Sequence, residues 1–593
     1  MRRGATSGAP TPHVLRELSF IADGERGAVL GPSGAVEWLC FPGWADPSVF
    51  STLVGGDGCF EVRPAGRYVW GGHYEEGTLI WRDRWVTSDG SVIECREALA
   101  LPSSPTRAVL LRRVEVLAGK ATVEVTLNPR PGYGKAPMRG WKLHQGGATT
   151  ASAEGIHVRF SGIRRPGEVP DGHAGRMLVA SLELAEGEIH DVVLELATEP
   201  FGDDLLDPGR AWEATESQWR TKVPPVDVEA GRRDALHAVA VLQGLTTASG
   251  AMMAAATTSL PERADAGRNY DYRYAWVRDM ALAGQALAAA SPQAEVLDRW
   301  VAFLCDRVLE DGPTLSPAYR ADGSAVPPER RLQLPGYPGG TDVVGNRVRD
   351  QFQLDGLGEV LSLLAAAARL DRLDGRGWEA AGVAADAIGE RWQEPDSGFW
   401  ELEPIWWAQS RLSCVAGLRA MADAGARGES AARWSAQADT LLAETSRRCA
   451  HPTGRFQRAP DDERVDASLL LPLVRGALPA DDPRVEATLA AVRADLSVDG
   501  YVYRYQADGR PLGEAEGAFL LCGFLVSMAE LSQGNTVASA RWFERTRSAC
   551  GPPGLFSEEF DVGQRQLRGN LPQAFVHAAL LEAAVAQRAE PVT

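Results

Sequence analysis

The spacing of apolar residues changes once along the chain, and this change constrains the fold more than any other feature of the sequence. From about residue 14 to 215, apolar and polar residues alternate in short runs broken by Gly and Pro, which is typical of half-buried β-strands. After residue 228, the apolar residues recur at the spacing of amphipathic helices almost to the C-terminus. A run of strands followed by a run of helices predicts two domains, the first all-β and the second all-α.

The length of the chain agrees with two domains. A single hydrophobic core stops growing at about 250–300 residues, and this chain has 593. Neither the strand pattern nor the helix pattern crosses the pair Pro224-Pro225 comfortably, so we place the junction there. The sequence predicts an N-terminal antiparallel β-sandwich at 14–215, a linker at 216–228 and a helical domain at 229–590.

The strand pattern of the first domain is clearest in two places. Val125 and Leu127 alternate with polar neighbours, as in a strand with one buried face. Two other alternating segments, around Leu182 and Leu194, flank the turn-rich residues 185–188 (AEGE). We interpret these two segments as neighbouring antiparallel strands.

The helical pattern of the second domain predicts twelve helices. They lie near residues 229–248, 276–290, 293–311, 351–369, 376–393, 406–424, 429–449, 464–476, 483–496, 513–533, 536–549 and 571–590. Twelve helices in consecutive hairpins are enough to close a ring of inner and outer helices. Several of the connecting loops are long and rich in aromatic and acidic residues, and such loops on a rigid scaffold are where function concentrates.

The net charge of the chain argues against nucleic acid and membrane partners. The 61 Lys and Arg residues against 79 Asp and Glu give a formal net charge of −18, which repels phosphate backbones and anionic membrane surfaces. We therefore expect no nucleic acid and no membrane partner.

No apolar run suits a signal peptide or a bilayer span, so we expect a cytoplasmic location. The eight cysteines are scattered and are expected to be buried, reduced thiols.

The first candidate for chemistry is Glu401, which follows Trp400 in a loop before a predicted helix and is followed by two more tryptophans, Trp406 and Trp407. Aromatic neighbours desolvate a carboxyl group and raise its pKa, which suits a general acid. Aromatic faces such as that of Trp400 also pack against sugar rings. The alternative is that the tryptophans are packing residues and Glu401 is a surface acid.

The second candidate is the acidic cluster Glu558, Glu559 and Asp561, beside two phenylalanines in another loop before a helix. Enclosed carboxylates repel one another, so at least one of them would have a perturbed pKa, and a general base is plausible there. The alternative is an acidic cluster that interacts with a helix N-terminus.

The third candidate is the segment 268–279, in which aromatic, basic and acidic residues interleave before an apolar helix. Arg278 and Asp279 are suited to paired hydrogen bonds with vicinal hydroxyl groups, while Tyr272 and Trp276 supply rigid stacking surfaces. This mixture is typical of sites for hydroxyl-rich ligands. The alternative for Arg278 and Asp279 is an ion pair at the start of a helix.

Seven segments, spread in order along nearly the whole chain, carry a family resemblance. They are 37–42 (EWLCFP), 256–262 (ATTSLPE), 272–279 (YRYAWVRD), 351–355 (QFQLD), 397–401 (SGFWE), 557–561 (SEEFD) and 569–575 (GNLPQAF). Together they resemble glycoside hydrolase family 15, which contains glucoamylases, glucodextranases and some bacterial and archaeal trehalases. The resemblance implies an N-terminal β-sandwich followed by an (α/α)6 barrel.

The resemblance also implies roles for the candidate residues. Glu401 would be the proton donor, and Glu558 the base, with the adjacent Glu559 as an alternative base or a substrate contact. Arg278 and Asp279 would hold hydroxyl groups of the glucose at the non-reducing end. The pocket wall would be formed by Tyr272, Trp276 and Trp400.

The implied mechanism inverts the configuration of the anomeric carbon. In such an enzyme the acid protonates the glycosidic oxygen while the base deprotonates water on the opposite face, with the carboxyl groups about 6.5–9.5 Å apart. Glu401 and Glu558 are far apart in the sequence, so they meet only if the ring of helices closes.

The expected activity is the exo-acting release of glucose from a short isomalto- or malto-type α-glucoside. A trehalase on the same fold is the nearest alternative. A phosphorylase would need anion-binding residues instead of a second catalytic carboxylate, and Glu558 argues against it. A catalytically silent carbohydrate-binding protein is the alternative from a different class.

One stretch departs from the family pattern. Arg347 and Arg349 precede the 351–355 motif, where relatives commonly have small residues or a Trp. We hypothesise that these arginines favour a polar, compact acceptor over a long glucan. No metal-ligand spacing, phosphate-binding Gly loop or Gly-x-Ser-x-Gly turn is present, so no cofactor and no catalytic metal are expected. A small carbohydrate is the expected partner, and self-association into a homo-oligomer is left open.

Overall fold

The N-terminal part of the chain is built from antiparallel strands. The computed structural model describes residues 13–172, 175–264, 267–425, 429–507 and 509–588. The strands are β1 (Ser19–Ala22), β2 (Gly27–Leu30), β3 (Val36–Cys40), β4 (Ser48–Phe50), β5 (Cys59–Pro64), β6 (Tyr68–Tyr74), β7 (Trp81–Thr87), β8 (Val92–Leu99), β9 (Arg107–Ala118), β10 (Lys120–Asn128), β11 (Arg139–Leu143), β12 (Thr149–Ala153), β13 (Ile156–Ser161), β14 (Gly167–Pro170), β15 (Arg176–Ala185) and β16 (Ile189–Ala197).

Two sheets pack face to face. The larger has the strand order β11-β12-β13-β16-β9-β8-β7-β6 and the smaller β14-β15-β10-β5, while β1 to β4 form a third sheet. Phe60 of β5 contacts Phe160 of β13 edge to face, with ring centroids 6.0 Å apart. Val125 and Leu127 of β10 are buried, as their alternation with polar residues predicts. The predicted antiparallel β-sandwich is confirmed.

The prediction that the segments around Leu182 and Leu194 are paired neighbours is wrong. Leu182 lies on β15, which pairs with β10 and β14, whereas Leu194 lies on β16, which pairs with β13 and β9. The turn between them therefore crosses from one sheet to the other. A short Gly-containing turn and apolar alternation are common to a hairpin and to such a crossover, so the sequence pattern does not separate the two.

A helix, α1 (Pro208–Lys222), occupies part of the predicted linker at 216–228. The Asp207 side chain caps its N-terminus by accepting hydrogen bonds from two backbone N–H groups. Trp212 of this helix is buried, and the guanidinium of Arg96 in β8 lies 4.4 Å from its ring centroid. The helix therefore packs against the sandwich.

Twelve further α-helices follow residue 228 in the described part of the chain, the number that the sequence predicts. They are α2 (Arg232–Gly244), α3 (Val277–Ala290), α4 (Val296–Asp311), α5 (Leu354–Arg369), α6 (Gly375–Arg391), α7 (Ala408–Asp423), α8 (Glu429–Cys449), α9 (Leu470–Val474), α10 (Pro483–Asp495), α11 (Leu520–Ser532), α12 (Thr536–Arg547) and α13 (Ala574–Ala586).

Alternate helices form a closed inner ring. Helices α3, α5, α7, α9, α11 and α13 each contact the next in this order, and α13 returns to α3, while the remaining six pack outside. The inner helix α13 is buried on nearly every side, whereas the outer helix α8 buries one stripe that includes Trp434, Ala438 and Leu441. The helical domain is therefore the expected (α/α)6 barrel.

Two glycines allow the inner helices α5 and α7 to approach closely. A Cβ atom on Gly358 would lie 2.5 Å from the backbone of Ser413, and one on Gly417 would lie 2.2 Å from the carbonyl oxygen of Gly358. Because these neighbours are backbone atoms in rigid helices, a side chain at either position would force the helices apart.

The sandwich packs directly on the segments that enter the barrel. Trp38 of β3 donates a hydrogen bond from Nε1 to the carbonyl oxygen of Ala256 at 3.0 Å. Arg273 donates to the carbonyl oxygens of Trp44 and Asp46, both at 3.2 Å. The N-terminal domain therefore helps to fix the position of residues 272–276. In the part of the chain that the structure describes, no helix has the length and apolar character needed to cross a bilayer.

Candidate active site

The loops that lead into the inner helices line one cavity of about 710 Å³. Such a volume is in the range of small-molecule sites. The residues that face it from the segments preceding the inner helices are Tyr272 and Trp276 before α3, Gln351 and Phe352 before α5, Glu401 before α7, Phe519 before α11, and Glu558 and Gln573 before α13. Closure of the helical ring therefore brings together side chains that are distant in the sequence.

Glu401 lies in a tight turn at this cavity. Its backbone φ of 56° is in the left-handed region, which is uncommon for residues other than glycine. Its carboxylate accepts a hydrogen bond of 2.8 Å from Nε1 of Trp276 and one of 3.4 Å from Arg278. About 25% of the Glu401 side chain is exposed. The carboxyl group is therefore oriented by two donors while it stays accessible from the cavity.

Glu558 is the more buried of the two predicted catalytic glutamates, with only 5% of the residue exposed. The hydroxyl group of Tyr272 donates to its carboxylate, at 3.0 Å from one oxygen and 3.2 Å from the other. Burial raises the pKa of Glu558 well above its ordinary value, and the negative charge of Glu262 raises it further. The sequence predicted that one carboxyl of the 558–561 cluster would be perturbed, and this is confirmed. Glu558 is thus the more deeply buried of the two, whereas about 25% of the Glu401 side chain is exposed despite its aromatic neighbours.

Two aromatic rings connect the glutamates. Tyr272, which binds Glu558, contacts Trp276, which binds Glu401, edge to face with ring centroids 5.5 Å apart. Both carboxyl groups open onto the same cavity. The closed ring of helices therefore brings Glu401 and Glu558 to one pocket.

Glu559 is directed away from this cavity and is absent from the described residues that line it. It begins a short strand, Glu559–Asp561, that pairs with Ala518–Phe519. Successive side chains of a strand point to opposite sides, and the Glu559 carboxylate accepts a 2.7 Å hydrogen bond from the backbone N–H of Gly517. The expected substrate contact and alternative base role of Glu559 do not agree with this position.

Arg278 and Asp279 lie at the first turn of α3 and line the cavity. Arg278 donates to the side-chain oxygen of Gln353 at 3.0 Å. In the described part of the chain, no donor lies within hydrogen-bonding distance of Asp279 Oδ2, although this atom is buried. Burial raises the pKa of Asp279 to about 7, opposed by the neighbouring Arg278. The nearest charged group to this oxygen is Arg278 Nε at 3.6 Å. A buried oxygen that accepts no hydrogen bond and lies beside a cavity is suited to accept one from a ligand hydroxyl group.

Trp400 also lines the cavity and is held in place on two sides. Its Nε1 donates to Asp466 at 2.8 Å, and its ring contacts that of Phe519 with centroids 4.9 Å apart. Of the eight predicted site residues, the structure therefore gathers seven at one cavity and leaves out Glu559.

Comparison with known proteins agrees with this arrangement. A model of Glycosyl hydrolases family 15 matches residues 237–585, and a model described as Trehalase-like, N-terminal matches residues 1–223. The chain belongs to glycosyl hydrolase family 15.

Relatives named trehalase match over almost the full length of this family 15 chain. The protein from Mycolicibacterium smegmatis is 30% identical over 98% of the chain and 92% of the relative. That from Mycobacterium tuberculosis is 31% identical over 97% and 90%, and Trehalase 1 of Sulfolobus acidocaldarius is 27% identical over 96% and 98%. The protein is therefore a glycoside hydrolase of family 15.

A solved structure has the same fold. A bacterial glucoamylase in complex with acarbose superimposes with a TM-score of 0.72 at 16% identity, over 99% of this chain and 96% of the glucoamylase. At this identity the likeness bears on the fold alone. It supports the (α/α)6 barrel with an N-terminal sandwich that the family 15 motifs implied.

Four charged residues with no role in the sequence-based prediction are clustered with Glu558, namely Glu262, Arg504, Arg268 and Glu516. Glu262 lines the cavity, and Arg504 Nη2 lies 3.7 Å from a Glu262 oxygen and 3.5 Å from a Glu559 oxygen. Arg268 forms a 2.6 Å ion pair with Glu516. Two tyrosines flank Arg504 in a loop. Aromatic neighbours are also what made Glu401 a candidate, so the same sequence pattern could have identified Arg504.

The two arginines before the 351–355 motif have different positions. Arg347 lines the cavity, where it forms a 3.3 Å ion pair with Glu329. Arg349 is absent from the described lining residues and donates to the carbonyl oxygen of Val326 at 3.2 Å. The acceptor hypothesis therefore rests on Arg347. Among the described residues, no cluster of three or more His, Cys, Asp or Glu side chains is placed to bind a metal ion.

Proposed function

We propose that this family 15 enzyme hydrolyses α,α-trehalose to two glucose molecules, with inversion at the attacked anomeric carbon. Glu401 is the general acid and Glu558 the general base. The observation that carries the proposal is that these two carboxyl groups open onto one cavity and are held there by different donors, Trp276 and Tyr272.

The acid step uses the orientation of Glu401. Trp276 Nε1 holds one carboxyl oxygen at 2.8 Å, which leaves the other oxygen free to carry the proton. As the bond between the anomeric carbon and the glycosidic oxygen breaks, this proton passes to the glycosidic oxygen, and the leaving sugar departs as neutral glucose. Arg278, within 3.4 Å of Glu401, stabilises the carboxylate that remains.

The base step uses Glu558. A water molecule between its carboxylate and the anomeric carbon loses a proton to Glu558 as its oxygen bonds to that carbon from the face opposite the leaving group. The Tyr272 hydroxyl donates to the carboxylate and so fixes which oxygen lone pairs face the water. After product release, Glu558 returns its proton to solvent and Glu401 takes one up, so each turnover consumes one water molecule.

The glucose that is attacked is held beside the acid. Arg278 and Asp279 supply a donor and an acceptor on one turn of α3, and Asp279 Oδ2, which accepts no hydrogen bond within the described protein, accepts one from a sugar hydroxyl group. Trp400 offers an apolar surface for the C–H face of the ring. These contacts recognise the sugar that both an α-glucosidase and a trehalase would cleave.

Trehalose is chosen over malto- and isomalto-type substrates because of the relatives. Three proteins named trehalase match at 27–31% identity over at least 96% of this chain. The ion pair of Arg347 and Glu329 at the cavity is consistent with a compact, hydroxyl-rich acceptor such as a second glucose. The cytoplasmic location and the absence of a nucleic-acid partner stay predictions.

A panel of disaccharides tests the proposal. Purified full-length protein is incubated with trehalose, kojibiose, nigerose, maltose and isomaltose, and released glucose is measured, with Glu401→Gln as the control for contaminating activity. Glucose from trehalose, with none or far less from the other sugars, is the expected result. Preferential cleavage of maltose or isomaltose would contradict the trehalase assignment and favour the general α-glucosidase.

A further inference from the structure

Glu262 is a buried acid at the cavity that the proposed mechanism does not use. It ends the 256–262 segment, it is 4% exposed, and it lines the cavity together with Glu558. Both side chains pack around the backbone of Gly569. The negative charge of Glu262 therefore acts on Glu558 at close range and raises its pKa.

Two of the family segments, 256–262 and 569–575, meet beside these acids. The backbone N–H of Gly569 donates to the carbonyl oxygen of Pro261 at 2.9 Å, directly beside Glu262. A Cβ atom on Gly569 would lie 3.5 Å from Glu558 Cβ and 3.8 Å from Glu262 Cγ, so the Gly569 backbone packs against both acids.

Asn570 strengthens the same junction. Its side-chain oxygen accepts a 2.9 Å hydrogen bond from Thr257, and its side-chain nitrogen donates to the carbonyl oxygen of Tyr270 at 2.8 Å. The segments 256–262 and 569–575, more than three hundred positions apart in the chain, are thereby joined by side-chain and backbone bonds. These bonds hold Glu262 beside Gly569, and the Gly569 backbone packs against Glu558.

The charges around the pair come from several elements. Glu558 faces the Tyr272 hydroxyl, the carboxylates of Glu262 and Glu401, and the guanidinium of Arg504. Glu262 in turn faces Arg504, Arg268 and Glu516. Since Glu516 is itself paired with both arginines, their positive charge is shared among several acids and does not cancel the repulsion between Glu262 and Glu558.

We propose that Glu262 is a positioning residue that acts through Glu558 and sets the lowest pH at which this base can accept a proton from water. The inference rests on the proposed role of Glu558 as the general base. It goes beyond that role because it assigns to a second acid, Glu262, the pH range over which the base is active.

The sign of the effect follows from charge. Glu558 accepts a proton from water only when it is ionised, and the negative charge of Glu262 opposes that ionisation, which raises the pKa of Glu558. The acidic limb of the pH–rate profile, where activity falls because Glu558 becomes protonated, therefore lies at higher pH with Glu262 than without it. A neutral side chain at 262 moves that limb to lower pH.

The test compares pH–rate profiles of full-length variants. In Glu262→Gln, the acidic limb of kcat/KM is expected to move down by about one pH unit or more, the scale of strongly interacting acids. In Glu262→Asp, the carboxylate stays but is drawn back by one methylene group, so a smaller shift in the same direction is expected. Asp561→Asn removes a carboxyl from the loop of Glu558 that does not line the cavity, and its acidic limb is expected to stay in place.

Each outcome decides the proposal. An acidic limb that stays in place in both Glu262 variants overturns the proposal. Loss of activity at every pH in both variants, with an unchanged thermal unfolding midpoint, also overturns it, because Glu262 would then be needed for turnover itself. Profiles are measured on whichever α-glucoside the wild type cleaves. Glu558→Gln distinguishes the failure of the base assignment from the failure of the Glu262 proposal. If Glu558→Gln keeps activity, Glu558 is not the base. If Glu558→Gln is inactive while the acidic limb of both Glu262 variants stays in place, only the proposal for Glu262 is wrong.

Discussion

The hydroxyl group of Tyr272 donates to the carboxylate of Glu558, with oxygen–oxygen distances of 3.0 and 3.2 Å. Four positions later on the same segment, Trp276 donates to Glu401. One short stretch before α3 therefore orients both glutamates, although they belong to loops before α7 and α13. Arg273, in the middle of this stretch, is bonded to the N-terminal sandwich, so the first domain contributes to the geometry of the site.

Removing the Tyr272 hydroxyl should weaken the base. In Tyr272→Phe, Glu558 loses a hydrogen bond that favours its ionised form and lowers its pKa, so the acidic limb of the pH–rate profile moves to higher pH, the opposite direction from Glu262→Gln. The rate at the optimum should fall about tenfold to a hundredfold, as for the loss of a hydrogen bond to a charged group. Tyr270→Phe, which alters the ring stacked on Tyr272, is the matched control and should leave the limb in place.

The two glutamates should respond differently to the leaving group. Glu401→Gln and Glu558→Gln are each expected to lower kcat on trehalose by about 10²–10⁴-fold. On α-glucosyl fluoride, whose leaving group needs no proton, Glu401→Gln should recover most of its activity and Glu558→Gln should not. If Glu558→Gln recovered and Glu401→Gln did not, the acid and base assignments would be reversed.

Arg347 and Arg349 form a matched pair for acceptor binding. Arg347 lines the cavity and Arg349 is absent from the described lining residues. Arg347→Ala should raise KM for trehalose roughly fivefold, about 1 kcal/mol of lost hydrogen bonding, with little change for α-glucosyl fluoride, which lacks a second sugar. Arg349→Ala should leave both unchanged. An equal rise in KM for trehalose in both variants would contradict the proposed role of Arg347.

Stability should depend on a buried ion pair behind the acid loop. Asp396, five positions before Glu401, pairs with Arg411, and both side chains are fully buried. Asp396 also accepts hydrogen bonds from Ser410 and from the backbone of Gly398. Asp396→Ala leaves Arg411 buried without this charge partner and should cost about 3–5 kcal/mol, seen as a lower thermal unfolding midpoint.

The control for this substitution is Glu394→Ala. Glu394 pairs with Arg391 at the surface, with about half of its side chain exposed, and exposed pairs contribute about 0–1 kcal/mol. A comparable loss of stability in both variants would show that burial of the Asp396 pair is not what matters.

Much of this architecture could be predicted from the sequence because it depends on local spacing. The twelve helices follow from apolar periodicity, and Glu401 and Glu558 stand out as acids among aromatics in loops before helices. The crossover between β15 and β16 could not be predicted, since the same turn and alternation serve a hairpin. Nor could Glu558 be separated from Glu559, because their opposite directions follow from the pairing of Glu559–Asp561 with Ala518–Phe519.

The remaining unpredicted features are contacts between distant segments. Glu262 and Glu558 are nearly three hundred positions apart, and nothing local to either one indicates that both pack around Gly569. Their proximity depends on closure of the helical ring and on the bonds of Asn570 to Thr257 and Tyr270. A pattern within one segment carries no information about such a partner.

The most direct test of two glutamates acting from opposite faces of one sugar is the anomeric form of the first products. Trehalose hydrolysed by wild-type protein is followed by proton NMR before mutarotation mixes the anomers. Inversion at the attacked carbon yields one β-glucose, and the leaving sugar keeps its configuration, so α- and β-glucose should appear in equal amounts from the first time point. Release of α-glucose alone would mean retention and would contradict the roles of Glu401 and Glu558.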